Sequence, residues 1–517
     1  MFSKTISLAL QGIEAVIIDV EVDIIRGLPN FTIVGLPDST IRESRERIRS
    51  AIENSRFEFP PQNFVVNLAP AGFRKQGANF DLPVAVSILK ATGQMDRDTP
   101  LIPMVGELSL DGAVKPVRGV ISMAIALHRA GHDSFIVPWA NRNEAAAIPG
   151  LSIFPVQNIG EALLALKGDI TPFAGAAPVE EIPAIMPDFS GIAGQEAAKR
   201  ALEIAAAGRH NVLLYGSPGS GKTMLARAFP SLLPPLSREQ SLETTMIHSA
   251  AGTLPGGKGL MTAPPFCSPH HTSSDAALVG GGVIPSVGEI SLAHNGVLFL
   301  DEMVEFRHNV IQSLRQPLEE KAITVSRVNG TCVFPADFIM IAATNPCGCG
   351  YLFEEDIACS CTVKRISAYY QKIAGPIVDR IDMEVLVNRV PWQKLMNQSG
   401  GDDMAAIRER IRMARAMQDE RFRVSRTRNN SGMDSSEIKK YCVLDSGTSS
   451  LMEKILQSRK LTARSYHKIL KVARTIADLE GSETLDKRHI LEAVTYKNLQ
   501  RNYESLNVMI DTAKAPF

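Results

Sequence analysis

Apolar positions along the chain follow two rhythms. Runs rich in β-branched and aromatic residues, Ala15 to Ile24, Asn30 to Gly35, Asn63 to Asn67 and Phe135 to Pro138, alternate with helical stretches such as Thr40 to Ser55. Residues 1–168 are therefore predicted to form a mixed α/β domain. From 169 to 191 the periodicity fails, and Thr171-Pro-Phe-Ala-Gly-Ala-Ala-Pro178 and Ile182-Pro-Ala-Ile-Met-Pro187 read as a linker. From 192 to 390 the apolar runs Asn211 to Tyr215, Val297 to Leu300 and Phe338 to Ala343 have the form of buried strands. Helices are expected between them: an Ala-rich one ending near Gly208, then Met224 to Phe229, Ser237 to Gly252, and Phe306 to Ala322 with Val310, Leu314 and Leu318 spaced by four. Ile323 to Phe334 holds two β-rich runs about Asn329-Gly330, a hairpin signal. Residues 391–434 carry a polar break, Asn397 to Asp403, and a helix, Met404 to Arg421; residues 435–517 read as a helical domain.

Composition changes this picture little. With 517 residues, 45% hydrophobic and 21% charged, this is ordinary globular material. Acidic and basic residues balance at 55 each. That excludes a global field drawing the chain to nucleic acid or membrane, and leaves polyanion contact to a local patch or a pore formed by assembly. Met1 to Val22 is interrupted by Gln11, Glu14 and Asp19, where a secretory signal needs an unbroken apolar segment. No run is long enough to span a bilayer. A cytoplasmic protein without membrane contact is expected, its seven cysteines serving as thiols or metal ligands.

Chemistry concentrates between the apolar runs. Gly216-Ser217-Pro218-Gly219-Ser220-Gly221-Lys222-Thr223 fits G-x-x-x-x-G-K-[ST] in full, after a strand and before a helix. The glycines let the backbone aim its N–H groups at phosphates, and the helix adds the positive end of its dipole. ATP or GTP binding follows, with Lys222 reaching the β- and γ-phosphates and Thr223 holding Mg²⁺. Val297-Leu-Phe-Leu-Asp-Glu302 ends a buried strand in paired carboxylates. Asp301 is suited to Mg²⁺ and Glu302 to orienting and polarising the attacking water. Asn345, at the tip of another strand, is suited to hold the γ-phosphate or that water, with an Asx turn before Pro346 as the purely structural alternative.

Other clusters are less specific. The long Gly/Pro/Ser stretch Thr253 to Ser286, with Cys267, His270, His271 and Gly280-Gly281-Gly282, reads as a mobile functional loop rather than a metal site. Cys347, Cys349, Cys359 and Cys361 form C-x-C, nine positions, C-x-C. Four thiolates read as a structural Zn²⁺ site, free cytosolic thiols being the alternative. Arg421-Phe-Arg-Val-Ser-Arg-Thr-Arg428 offers arginines to phosphates or is merely solvated, and Lys468, Lys471 and Arg474 suggest a basic stripe.

Longer motifs carry a family resemblance. Gly27-Leu-Pro-Asn-Phe-Thr-Ile-Val-Gly-Leu-Pro-Asp38, Asn67-Leu-Ala-Pro-Ala71, Lys75-Gln-Gly-Ala-Asn-Phe-Asp-Leu-Pro83 and Gly106-Glu-Leu-Ser-Leu-Asp-Gly112 resemble the magnesium-chelatase-like front domain of the ComM/YifB family, itself similar to the Lon protease domain. The phosphate loop, the Asp-Glu strand, the hairpin and Gly375-Pro-Ile-Val-Asp-Arg-Ile-Asp382 look like an AAA+ ATPase of the magnesium-chelatase clade. Pro269-His-His-Thr-Ser-Ser274, Gly288-Glu-Ile-Ser-Leu-Ala-His-Asn-Gly296 and Ile469-Leu-Lys-Val-Ala-Arg-Thr-Ile-Ala-Asp478 narrow it to ComM/YifB.

The resemblance implies a Lon/S5-like α+β front domain, a P-loop core with a Cys-rich insertion at 347–361 and a helical lid. It makes Asn345 the sensor-1 residue, Arg380 a finger offered to a neighbouring subunit's ATP, and Arg464 similar to the sensor-2 arginine. The serine and lysine of a Lon-type dyad fall at Asn79 and Ile121, so no peptidase is expected. The family usually has Cys-Pro-Cys with a longer interval before the second pair, where this chain has Gly348. A hexameric, Mg²⁺-dependent DNA motor of the branch-migration type is implied, acting on single-stranded or branched DNA during transformation, with Arg327 on the hairpin touching phosphates in a central pore. An ATP-driven protein remodeller and a magnesium-chelatase subunit are the rival readings.

Overall fold

Phe2–Gln11 opens the chain as a strand that the apolar pattern alone did not mark, paired antiparallel with Glu14–Ile25 across the left-handed Gly12. In this computed structural model the described residues are 1–96, 98–175, 189–255, 259–281, 285–327, 330–354, 356–373, 377–391, 403–459, 461–499 and 502–503. Asn63–Ala69 pairs antiparallel with Glu14–Ile25 and parallel with Asn30–Val34, completing a four-stranded sheet. Helix Asp81–Ala91 is buried along its whole length and contacts the first two strands, so its continuous apolar run is core rather than surface stripe. Helix Ser39–Asn54 starts where Asp38 accepts from the Ile41 N–H at 2.9 Å, satisfying one orphan donor. Asn79 Nδ2 donates to the Leu8 carbonyl at 2.6 Å, and Ile121 is fully buried among Leu8, Val120 and Met123.

The second sheet is five-stranded and parallel throughout, in the order Phe266–Cys267, Val297–Leu300, Ile339–Thr344, Val212–Tyr215, Met383–Leu386. Val212–Tyr215 and Val297–Leu300 read as unbroken apolar runs because both faces are covered, whereas Met383–Leu386 carries Glu384. Val212, Leu214, Phe299, Ile341 and Val385 point to the Ala-rich helix Glu196–Gly208 and the C-terminal helices, whereas Leu213, Tyr215, Leu298, Leu300 and Met340 meet Ile290, Val310, Leu314 and Phe334. Parallel pairing puts the C-terminal tips of all five strands along one edge, where ligands of open α/β sheets bind.

Helix Arg238–Ala251 begins in a capping box between Ser237 and Gln240 and ends at the left-handed Gly252. It joins the two sheets' cores. Its Leu242 and Met246 pack against the cluster of Leu8, Val120 and Leu127, and Ser249 Oγ accepts from the Gly119 N–H (2.9 Å) while donating to Glu144 (2.8 Å). Among the described residues no helix is long and apolar enough to cross a membrane.

Several expectations change. Phe306 to Ala322 is two short helices, His308–Ser313 and Arg315–Glu320, parted at Leu314; Pro317 has no N–H to give the Ser313 carbonyl. The stretch Thr253 to Ser286 is not structureless: it holds the strand Phe266–Cys267, the helix Asp275–Val279 and a small ladder of Gly280–Gly281 with Ser286–Val287. The basic stripe of helix Ala463–Leu479 faces inward. Arg474 and Arg421 both close on the buried Asp478, Lys468 donates to the Ile381 carbonyl (2.7 Å) beside Asp382, and Lys471 to that of Ser431 (2.9 Å). Arg423, Arg426 and Arg428 stay exposed, the last 3.5 Å from Glu239. Ala322–Arg327 pairs with Gly330–Pro335 as the hairpin expected. Its tip at 328–329, the Arg327 side chain, residues 176–188 of the linker and residues 392–402, which take in the polar break up to Asp403, lie outside the described residues.

Candidate functional site

Three adjacent strand tips bring together the residues expected at an ATP site. Val212–Tyr215 leads into the phosphate loop, in which Gly219 and Gly221 take φ of +76° and +94°. A Cβ at Gly219 would meet open space, so the loop presents an uncovered side to a ligand, while Gly216 is wedged 2.1 Å from the Val387 carbonyl by the same measure. Lys222 Nζ donates to the carbonyls of Gly216 and Ser217, both at 2.8 Å, and to Asn345 Oδ1 at 3.3 Å. Burial lowers its pKa below the ordinary lysine value, and Asp301 and Glu302 oppose that shift.

Val297–Leu300 delivers the acids. Thr223 Oγ1 donates to Asp301 Oδ2 at 2.9 Å, which brings together the two oxygen donors named for Mg²⁺; hard oxygens on one side of an open loop suit that ion. Glu302 sits at φ +51°, a left-handed position for a residue with a Cβ, and its carboxylate is more than half exposed. From the next tip, beyond Phe266–Cys267, His271 brings Nδ1 within 3.9 Å of Glu302 Oε2. His270 turns away to Thr272 at 2.8 Å.

Other loop contacts were not singled out in the sequence. Arg389, beyond the tip of Met383–Leu386, donates to the Pro218 carbonyl at 3.1 Å. Gln195 donates to the Ser220 carbonyl at 2.9 Å and to that of Asn388 at 2.6 Å. Ser217 Oγ donates to Glu354. The signal for each was weak because a single polar residue in a loop has no period; only the strand order brings them to one edge.

Arg380 and Arg464 do not join Lys222. Arg380 precedes Met383–Leu386, and that strand runs parallel to Val212–Tyr215 from Met383↔Val212 onward, so Arg380 stands at the opposite end of the sheet from the phosphate loop. There both arginines reach Glu319 Oε1, Arg380 at 2.5 Å and Arg464 at 3.4 Å, and Arg464 also lies 3.8 Å from Asp379. They line a cleft of about 440 Å³ that Lys321 and Lys468 share.

The four cysteines converge after Asn345. Cys347, Cys349 and Cys359 have Sγ atoms 3.4 to 3.7 Å apart, and all four Sγ lie within 4.8 Å of one another. Tetrahedral Zn–S bonds of about 2.3 Å put sulfurs about 3.8 Å apart, so the four thiols lie within about 1 Å of a zinc tetrahedron and the donor set fits that ion. Among the described residues this is the one group so arranged; Cys267, His270 and His271 form none.

A phosphate loop, an acid pair and an asparagine on neighbouring tips of a parallel sheet, followed by a helical lid, define an AAA+ ATPase of magnesium-chelatase type. Family profiles agree: "Magnesium chelatase, subunit ChlI" matches residues 188–395, "Subunit ChlI of Mg-chelatase" 20–141 and "Magnesium chelatase, subunit ChlI C-terminal" 401–497. The chain belongs to the ComM/YifB family. It is 38% identical over 510 residues to Competence protein ComM of Haemophilus influenzae, covering 97% of this chain and 99% of that one. To the uncharacterized protein YifB of Escherichia coli it is 39% identical over 497 residues, 95% and 96% of the two chains. Likeness to the magnesium-chelatase 67 kDa subunit of Chlorobaculum parvum is confined to 160 residues at 28%, covering 31% of this chain and 23% of that one.

Proposed function

We propose that this protein is a cytoplasmic, Mg²⁺-dependent ATPase that works as a ring, hexameric by analogy with its class, and drives single-stranded or branched DNA through branch migration. One observation carries the ring: Arg380 and Arg464 lie at the opposite end of the sheet from Lys222, so each site is complete only between two copies. Phosphate-loop N–H groups and Lys222 bind the β- and γ-phosphates. Thr223 and Asp301 hold Mg²⁺, which when bound neutralises charge on the phosphate oxygens. Glu302 orients water for in-line attack and takes up its proton, Asn345 fixes the γ-phosphate, and the neighbour's Arg380 and Arg464 stabilise charge on the transferring group.

The name of the competence relative supports DNA as the substrate, as does the hairpin Ala322–Arg327/Gly330–Pro335, whose Arg327 we assign to phosphate contact in the pore. We divide the chain into a front domain (1–168), a linker (169–191), the ATPase core (192–390), a connecting segment (391–434) and a lid (435–517). The four cysteines hold Zn²⁺. The front domain is no peptidase, because an amide at Asn79 and an alkyl chain at Ile121 offer neither nucleophile nor base.

The test is ATP hydrolysis by the purified protein with single-stranded, duplex and branched DNA, with Glu302→Gln as control. Stimulation by DNA that weakens with added salt and vanishes in the variant is expected. Hydrolysis indifferent to every DNA but raised by unfolded protein would assign the motor to protein remodelling, and a rise with porphyrin to a chelatase role.

A further inference from the structure

The described residues from Cys347 to Cys361 form no helix or strand, yet they form one wall of the phosphate loop. Gly350, at φ +88°, lies so close that a Cβ there would stand 2.5 Å from Pro218 Cδ. Glu354 accepts from Ser217 Oγ, and its carboxylate is 4.0 Å from Arg389 Nε, the same guanidinium that donates to the Pro218 carbonyl. The Tyr351 ring lies beneath that guanidinium at 5.5 Å. Phe353 packs edge-on against Tyr215, the residue that ends the strand before the loop. At its other end the wall begins two residues after Asn345, which accepts from Lys222.

We infer that the four-cysteine knuckle, closed by zinc, braces the phosphate loop, and that Gly350 and Glu354 are positioning residues for nucleotide binding. The inference rests on reading Gly216 to Thr223 as the ATP site. The described residues of the knuckle form no backbone ladder, only turn hydrogen bonds such as Gly350 N–H to the Cys347 carbonyl and Glu354 N–H to that of Tyr351, and for such small loops metal binding is itself the folding free energy. With the knuckle closed, Glu354 turns its negative charge to Ser217 and Arg389. With the knuckle open, that carboxylate is free beside a site built for polyphosphate, Pro218 loses its packing partner, and Arg389 loses its ring. Metal occupancy therefore sets nucleotide affinity through Gly350 and Glu354, which contact Pro218 and Ser217 of the phosphate loop.

The test uses the full-length protein and two readouts, zinc content by mass spectrometry and equilibrium binding of a fluorescent ATP analogue with Mg²⁺. Purified wild type is expected to carry one zinc per chain. Stripping with a chelator that is then removed should weaken analogue binding about tenfold, the scale of losses when a metal's supporting shell is disturbed, and added zinc should restore it. Cys359→Ser with Cys361→Ser should lose zinc and affinity together, without rescue. Glu354→Gln should keep its zinc yet bind the analogue several-fold more weakly, which separates the brace from the metal. Stripped protein that binds as tightly as wild type, or zinc-free wild type that binds normally, overturns the inference. Lys222→Ala keeps the knuckle and should lose analogue binding; if it does not, the assignment of the ATP site fails first and the brace falls with it.

Discussion

The two ends of the parallel sheet are built differently. At the C-terminal end, Lys222 meets Asn345 and Thr223 meets Asp301, the four residues coming from three neighbouring strand tips. At the N-terminal end, Arg380 and Arg464 close on Glu319, a carboxylate of their own chain that is half exposed. One end is assembled by topology within a single copy. The other is neutralised internally by Glu319; on the proposed reading its arginines act when a partner's phosphate takes the place of that carboxylate.

Breaking this division should have its largest effect at the arginine. Arg380→Ala is expected to lower kcat about 10³-fold, the scale for a transition-state arginine, while a fluorescent ATP analogue binds as before. Mixing Arg380→Ala with Lys222→Ala subunits should restore part of the rate, since a mixed interface contains one intact site; no recovery would mean that both residues serve the same copy. Next comes Glu302→Gln, expected to cost about 10² to 10³ in kcat with ATP retained, as read by filter binding after a single turnover. Glu319→Gln should act in the other direction. Exposed pairs contribute about 1 kcal/mol or less, so freeing the arginines should raise hydrolysis up to about fivefold at low protein concentration, and the gain should fade as rings saturate. The smallest effect is expected for His271→Asn, a two- to threefold fall in kcat, on the order of 0.5 kcal/mol, with nucleotide affinity unchanged, because His271 faces the carboxylate of Glu302 and no residue of the phosphate loop.

What could be read from the sequence follows from range. The apolar runs at Val212, Val297 and Ile339 announced themselves because strands covered on both faces carry no polar positions. The phosphate loop was legible because its geometry is local, eight consecutive residues between a strand and a helix. Glu319, Glu354, Arg389 and His271 were not, since each acquires its role from a neighbour far along the chain. Lys468, Lys471 and Arg474 show the converse error: their spacing marks one helix face, but only the packed structure shows that face meeting Asp382 and Asp478. The strand Phe2–Gln11 is hard to read from sequence because the polar alternation that breaks a secretion signal is equally that of a half-buried strand.

Asn79 carries a consequence for how this chain can change. Its amide ties the start of a fully buried helix to the first strand, and Ile121 fills an apolar cluster. Restoring a hydrolytic dyad would take two substitutions. A serine at 79 forfeits a buried hydrogen bond, about 1 kcal/mol, and a lysine at 121 sets an ammonium among alkyl chains at a cost of several kcal/mol. Neither change helps without the other, so a route to such a dyad loses stability before it gains any chemistry.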